Sequence, residues 1–315
     1  MTLLRRIGVL LAKVETTPGT DAAPDATDGA CNFYNVSITP NIGMVTREGQ
    51  GGFGKLSSVP EGFGCTLTFR TYVEWDGTAS EPFWADVLLP GCGWVKATNT
   101  FTPRAEAPGS DVKTLTFYHF LNGKRRRMYG AAGTFAFHAP TGQPAYLDWT
   151  FTGVWGGETD TAIVTPTYPT DLPIRSTGVT QLGDVNLCAS EVVIDAGNSV
   201  ILRECSANIG SQLRAGYESA IITDRTPTIT VDPEAKLIAT RDAYGAWIAQ
   251  TEALFELDIA GPTDSLLTFD APKAQIISNA DGDRNGLAID TLQLQCNKNG
   301  ATHNEELSIV FTPAS

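Results

Sequence analysis

Two stretches of the chain carry residue types at spacings that could do chemistry. Gly49-Gln-Gly-Gly-Phe-Gly-Lys55 matches the glycine and lysine core of a phosphate-binding loop. That chemistry needs a hydroxyl residue next, to hold magnesium, and a helix whose N-terminus faces the phosphates. Leu56 stands at that position, and Pro60, Gly62 and Gly64 prevent the helix. Residues 49–64 therefore read as a mobile or interface loop. Asp281-Gly-Asp283-Arg-Asn285-Gly286 sets oxygen donors at alternate positions with glycine sixth, as a calcium loop does. Its twelfth residue is Leu292, on a strand pattern, where the ion needs a bidentate glutamate. A polar hairpin turn is the simpler reading.

The other reactive residue types are scattered. Lys124-Arg-Arg-Arg127 is a basic run in a chain of net charge −13, so pairing with acidic neighbours on this chain or the next is favoured over a grip on DNA. His119, His138 and His303 are too dispersed to nominate a metal or a triad. The six cysteines lack CxxC or zinc-type spacing and read as free thiols from a reducing cytoplasm. Trp75, Trp94, Trp149 and Trp155 could stack sugars in a carbohydrate-binding β-protein, but within alternating strands they read as core. No serine, cysteine or carboxylate pair is framed by a motif, so a hydrolase has no chemistry to stand on. Neither a cofactor nor a metal is expected.

The elements that would position these residues are mainly strands. Around residues 66–75, Leu67, Phe69, Thr71, Val73 and Trp75 alternate with Thr66, Thr68, Arg70, Tyr72 and Glu74, a period of two with one buried face. Ser80 is expected to cap a short helix with Phe83, Trp84, Val87 and Leu88 on one face and Gly91 as its stop. Asn122-Gly123 is a hairpin signal between 114–120 and 125–129, and 134–139 and 145–155 form a further pair. Residues 159–180, rich in Thr and Pro, read as a linker. Beyond it, 191–195 and 199–204 flank Gly197-Asn198 as a second hairpin, 205–217 is a polar loop, and 221–223 and 228–231 are strands. Asp242 caps a helix with Tyr244, Trp247, Ile248, Leu254 and Phe255 on one face. Then 266–270 pairs with 275–278, and 287–296 with 305–311.

This order is written twice, at an offset of roughly 155 residues. Trp84 with Trp247, and Phe117 with Phe269, fall at matching positions. The expected division is an extended N-terminal arm over 1–30, a module over 31–158, a linker over 159–187 and a second module over 188–315. At 315 residues there is room for two cores. The acidic balance argues against a surface built to hold phosphate backbones. Arg5-Arg6 and the apolar run after them imitate a signal peptide, but the run is too short, and no stretch approaches a membrane span. A soluble protein, not inserted in a membrane, is expected.

The leader Leu11-Ala-Lys-Val-Glu-Thr-Thr-Pro-Gly-Thr-Asp-Ala-Ala-Pro24 resembles the opening of many tail tube proteins of tailed bacteriophages. The following Asn35-Val-Ser-Ile-Thr-Pro40 and the loop containing Phe53-Gly54 are similar too. The resemblance covers about the first sixty residues. It implies a mainly β fold of two tandem tail-tube β-sandwich or barrel modules, each with one short α-helix. It also implies a structural virion protein that polymerises into stacked rings, a conduit through which double-stranded DNA passes without specific binding. Other tail proteins would meet the tube ends, and the chain would be made in the host bacterial cytoplasm. In the family six modules close a ring, so two per chain imply homotrimeric rings with pseudo-sixfold symmetry. Phe53, Lys55, Leu56, Leu213 and Tyr217 would then make inter-subunit loop contacts, and Glu15, Thr17, Pro18 and Asp21 arm contacts. The alternatives are a capsid decoration, a tail terminator, or the carbohydrate-binding β-protein.

Overall fold

The computed structural model describes residues 8–29, 31–105, 113–205, 216–300 and 304–314. The period-two stretches become long antiparallel strands: β1 (Gly8–Val14), β2 (Phe33–Glu48), β3 (Lys55–Tyr72), β4 (Trp94–Ala97), β5 (Thr100–Pro103), β6 (Leu115–Leu121), β7 (Lys124–Pro140) and β8 (Tyr146–Asp160). They continue as β9 (Thr180–Leu182), β10 (Val185–Asn186), β11 (Ala189–Asp195), β12 (Asn198–Glu204), β13 (Tyr217–Arg225), β14 (Thr228–Pro233), β15 (Glu252–Ala260), β16 (Leu266–Arg284), β17 (Leu287–Cys296) and β18 (Ser308–Thr312). One sheet runs β10-β9-β15-β16-β17-β14-β11-β7-β8-β3-β2, with β6 on β7 and β1 on β6, while β12 and β13 form a separate pair.

The two halves of this sheet repeat one another in strand order and in register. Strands β2-β3-β8-β7-β6 are matched by β11-β14-β17-β16-β15. One transverse row reads Ile38–Leu67–Phe151–Gly133, and its counterpart reads Ile194–Ile229–Leu294–Ile276. One irregularity coincides: the register slips between Leu115 and Phe117 of β6 and, at the matching place, between Ala253 and Phe255 of β15. A second, between Tyr34 and Ser37 of β2, falls one residue from its counterpart between Ala189 and Val192 of β11. A bulge inserts one residue and bends its strand, so the first fixes the residue correspondence of those strands, while the transverse rows fix that of β2 with β11. The first aligns Phe117 with Phe255, not with the Phe269 that sequence spacing suggests.

One face of the sheet carries the core. Leu67, Phe69, Leu147, Trp149, Phe151, Phe135 and Phe137 in the first half, and Ile194, Ile229, Leu257, Phe269, Leu292 and Leu294 in the second, are buried in one continuous cluster. Phe137 meets Phe269 with ring centroids 4.2 Å apart, tying the halves together. The four tryptophans considered for sugar stacking, Trp75, Trp94, Trp149 and Trp155, are buried.

Several local expectations change. Residues 55–64 are strand, so the supposed loop over 49–64 shrinks to the tip 49–54 of the β2–β3 hairpin. The first helix runs Trp84–Leu88 and on through Leu89–Gly91 without a side-chain cap, so Ser80 does not cap it. Asp242 does cap the second, its carboxylate accepting from the Gly245 amide at 2.7 Å, but that helix is only Ala243–Ile248. Leu254 and Phe255 belong to β15, and Tyr244, Trp247 and Ile248 are exposed: the helix packs on the core through Ala243 and Ala246, with the Tyr244 hydroxyl 3.4 Å from Asp281 of β16, whereas Trp84 is buried. Residues 191–195 and 199–204 form no hairpin together, because β11 pairs with β14 and β7 while β12 pairs with β13. Residues 266–270 and 275–278 lie on the single strand β16, and β18 pairs with β16 and β5 instead of β17. The N-terminal arm contributes to the core: β1 pairs with β6 and buries Leu10, Leu11 and Ala12. Part of the Thr/Pro-rich stretch also docks, with Ile174 buried and its amide bonded to the Val73 carbonyl.

Candidate functional site

The β2–β3 hairpin extends well past the rest of the sheet. Every residue from 39 to 48 and from 50 to 61 is exposed, including Met44, Val45, Leu56 and Val59. Phe53 at the tip is 109% exposed, so its ring meets nothing on its own chain. A long two-stranded ribbon with apolar residues on both strands is costly in water alone and gains stability once something covers it. Lys55 pairs with Glu48 across the ladder just behind the tip, which places Phe53, Lys55 and Leu56 together there. The glycines and lysine of the phosphate-loop look-alike are this tip, with no helix behind it.

The equivalent ribbon of the second half is kinked and covered on one face. β11 with β14 continues into β12 with β13, but Gly197 (φ +64°) breaks the line, and a Cβ there would lie 2.0 Å from the Thr226 carbonyl oxygen. The displaced ribbon folds back over the first half. Leu202 packs on Gly64, Tyr217 on Gly62, and Ser219 on Gly130. Tyr217 is therefore engaged within its own chain, while Leu213 lies outside the described residues.

The leader closes against the same place. Glu15 is buried, and its carboxylate accepts four bonds: from the amides of Gly19 and Gly130, each at 2.7 Å, and from the hydroxyls of Thr114 (2.6 Å) and Thr116 (2.7 Å). Gly19 has φ +76°, and a Cβ on it would lie 2.3 Å from the Glu218 carbonyl oxygen. The Asp21 carboxylate accepts from the Tyr118 hydroxyl at 2.8 Å and lies 3.7 Å from Arg127. Thr17 is exposed and Pro18 half-buried on the turn between them. Of the four arm residues, Glu15 and Asp21 are thus committed to their own chain.

The seam between the halves is strand pairing. Glu191 to Asp195 of β11 lie opposite Pro140 to Ala136 of β7, and the Thr141 amide donates to the Ser190 carbonyl at 2.8 Å. The matching edges at the two ends of the sheet have no strand on that side among the described residues: residues 33–40 of β2, and residues 276–284 of β16 on the side away from β17. The β2 edge borders an open cleft of about 880 Å³, also lined by His119, Lys124 and Arg126. Edge status is a tertiary property: the sequence pattern marks 33–40 and 275–278 as strands, but neither that they are open nor that β16 runs on to Arg284.

The face of the sheet opposite the core is polar. Threonines face one another across it, Thr66 with Thr152 and Thr68 with Thr150. Asp148, Glu191, Asp195, Glu256, Asp258 and Asp270 point to the same side, as does Arg70, which forms a bidentate pair with Asp148 at 2.7 Å and stacks on Tyr146. Burial, with the neighbouring Glu256 and Asp258 charges, pushes the Asp270 carboxyl up to about 6. His138 stacks on Tyr146, its Nδ1 3.1 Å from Glu191.

The basic run finds acidic partners. Lys124 and Arg126 both pair with Glu158, Arg127 lies near Asp21, and Arg125 covers the Tyr118 ring. Burial acts to raise the Glu158 carboxyl, but the two cations hold it below its ordinary value. The calcium look-alike is the β16–β17 turn: Arg284 lies opposite Leu287, and Asn285 (φ +54°) and Gly286 (φ +87°) supply the left-handed pair of a tight hairpin. His119 is buried, while His303 lies outside the described residues. Cys31, Cys65, Cys92 and Cys296 are buried free thiols, Cys205 is half-buried, and Cys188 is exposed. No described helix is long and apolar enough to cross a membrane.

A search among curated proteins found no match. A protein-family model described as phage tail tube protein matches residues 6–296.

Proposed function

The chain belongs to the phage tail tube protein family, and on that premise we propose that it polymerises into stacked homotrimeric rings forming the channel through which double-stranded DNA leaves the virion. It is a structural component of the virion tail; the ring count, the stacking and the passage of DNA are the proposal. The observation that carries it is the seam. Each chain holds two copies of one five-strand unit, joined edge to edge by β7 and β11, and ends in a matching pair of open edges. Open edges are a hazard to a lone subunit and are removed when a ring closes. Two units per chain and six per ring give three chains.

The polar face supports the channel reading. A lumen lined by threonine and carboxylate would repel phosphate and offer no fixed cation for the backbone to rest on. Arg70 is neutralised in place by Asp148. The exposed β2–β3 ribbon would bridge to neighbouring subunits or rings through Phe53, Lys55 and Leu56, with other tail proteins capping the tube ends. Imaging the purified chain by electron microscopy tests this. Hollow tubes are expected, and a chain that stays monomeric at high concentration would count against it.

A further inference from the structure

We infer that the internal seam is the template for the contact between chains: the β16–β17 hairpin of one copy pairs along the β2 edge of the next, in a defined register. This rests on the ring reading above and adds the residues that meet. The residue correspondence follows from the matched rows and bulges. β2 stands where β11 stands, with Ile38 at the place of Ile194. The distal part of β16 stands where β7 stands: Tyr146 and Leu147 of β8 correspond to Ile289 and Asp290 of β17, so their partners His138 and Phe137 correspond to Gly282 and Asp281. Within the chain, Val193 lies opposite His138, Ile194 opposite Phe137 and Asp195 opposite Ala136. Carried across the boundary, Ser37 would lie opposite Gly282, Ile38 opposite Asp281 and Thr39 opposite Ala280 of the neighbouring copy.

The chemistry at that edge agrees. In the internal seam, Phe137 packs on Phe269. The matched bulges place Arg126 at the position of Phe269, since Phe117 opposite Met128 corresponds to Phe255 opposite Ala271. The aromatic contact inside the chain thus becomes Asp281 against Arg126 between chains. Arg126 lines the cleft beside β2 together with Lys124, and the two cations share one carboxylate there, Glu158. Asp281, which accepts from the Tyr244 hydroxyl at 3.4 Å, and Asp283 are exposed on the incoming hairpin. The acidic turn that imitates a calcium loop would bring the missing negative charge. An aromatic pair inside and an ion pair outside also lets the subunit fold before it assembles, because the outer contact is made of groups that water tolerates.

Paired cysteines test the register. Thr39→Cys with Ala280→Cys, in a chain whose more accessible native thiols are removed (Cys188→Ser, Cys205→Ser), places two thiols directly opposite across the boundary. Mild oxidation of assembled protein should give covalent dimers and trimers on a non-reducing gel, with no higher species. Each single cysteine, and the out-of-register pair Thr39→Cys with Asp283→Cys, should remain uncrosslinked. Tubes that form normally, with crosslinking absent in the first pair or present in the second, would overturn the register and leave the tube reading standing. A parent chain that never forms tubes would overturn both. As a second readout, Asp281→Arg should raise the concentration needed for assembly about tenfold, the size of effect common for a close interfacial charge pair, and adding Arg126→Glu should restore most of it. Absence of that rescue would remove the ion pair from the interface.

Discussion

Replacing Glu15 by Gln tests whether the leader belongs to the folded unit. The buried carboxylate accepts two backbone amides and two threonine hydroxyls, one of each on either oxygen. A glutamine keeps one acceptor oxygen, but its nitrogen must face one amide and one hydroxyl. The hydroxyl of Thr114 or Thr116 can rotate and accept; the amide of Gly19 or Gly130 cannot. One buried N–H is left unpaired against another donor, and one charge-assisted bond is lost. Bonds to charged groups contribute about 1.5–3 kcal/mol, and stranding a buried donor costs about 1–3 kcal/mol, two views of the same overlapping loss. The expected penalty is about 3 kcal/mol, or about 5–10 °C in Tm for a chain of this size. Differential scanning calorimetry of the unassembled protein at low concentration reads it directly. A change under about 1 kcal/mol would mean instead that the site is wet or that the leader lies elsewhere in solution.

Asp270→Asn should stabilise the chain by about 1 kcal/mol at pH 8, after allowance for solvent screening at this half-buried position. The folded carboxyl titrates near 6, above its ordinary 3.8, so the folded state holds the proton more tightly and loses stability as pH rises through 6. The gain should therefore vanish by pH 4 in thermal melts, and an equal gain at both pH values would contradict the cause. Phe137→Ala, which removes the aromatic contact between the halves, should cost about 3–5 kcal/mol in urea unfolding; a loss under about 1 kcal/mol would mean that the halves do not depend on that contact. Replacing residues 44–60 by Asn-Gly joins Gly43 to Glu61 by a two-residue turn. Stability should stay within about 0.5 kcal/mol while tubes fail to form in electron micrographs; normal tubes would free the ribbon from any role in assembly.

Much of the fold is legible in the chain because one sheet face is buried. The alternation at 66–75 marks β3 directly, and Asn122-Gly123 marks the turn between β6 and β7. Glycine is the least legible residue in this chain. Gly62 and Gly64 look like loop residues, yet they lie in β3 and make room for Tyr217 and Leu202. Gly197 looks like a hairpin turn, yet it is a kink between two successive strand pairs. In each case the residue answers to a close approach from a segment distant in sequence, which local pattern cannot report. The second helix is shorter than its pattern: Tyr244, Trp247 and Ile248 keep a helical spacing with Leu254 and Phe255, although Gln250 (φ +56°) ends it. The leader motif is visible as a resemblance, but its physical reason is not, because the four donors around Glu15 come from the leader itself, β6 with the residue before it, and β7.

In the proposed tube one chain supplies two ring units. Counting chains per ring in a cryo-electron microscopy reconstruction of the assembled tube decides this. Three chains per ring, with the β7–β11 seam alternating with β16–β2 contacts between chains, is the predicted result. Six chains per ring, with one half standing outside the channel wall, would contradict it.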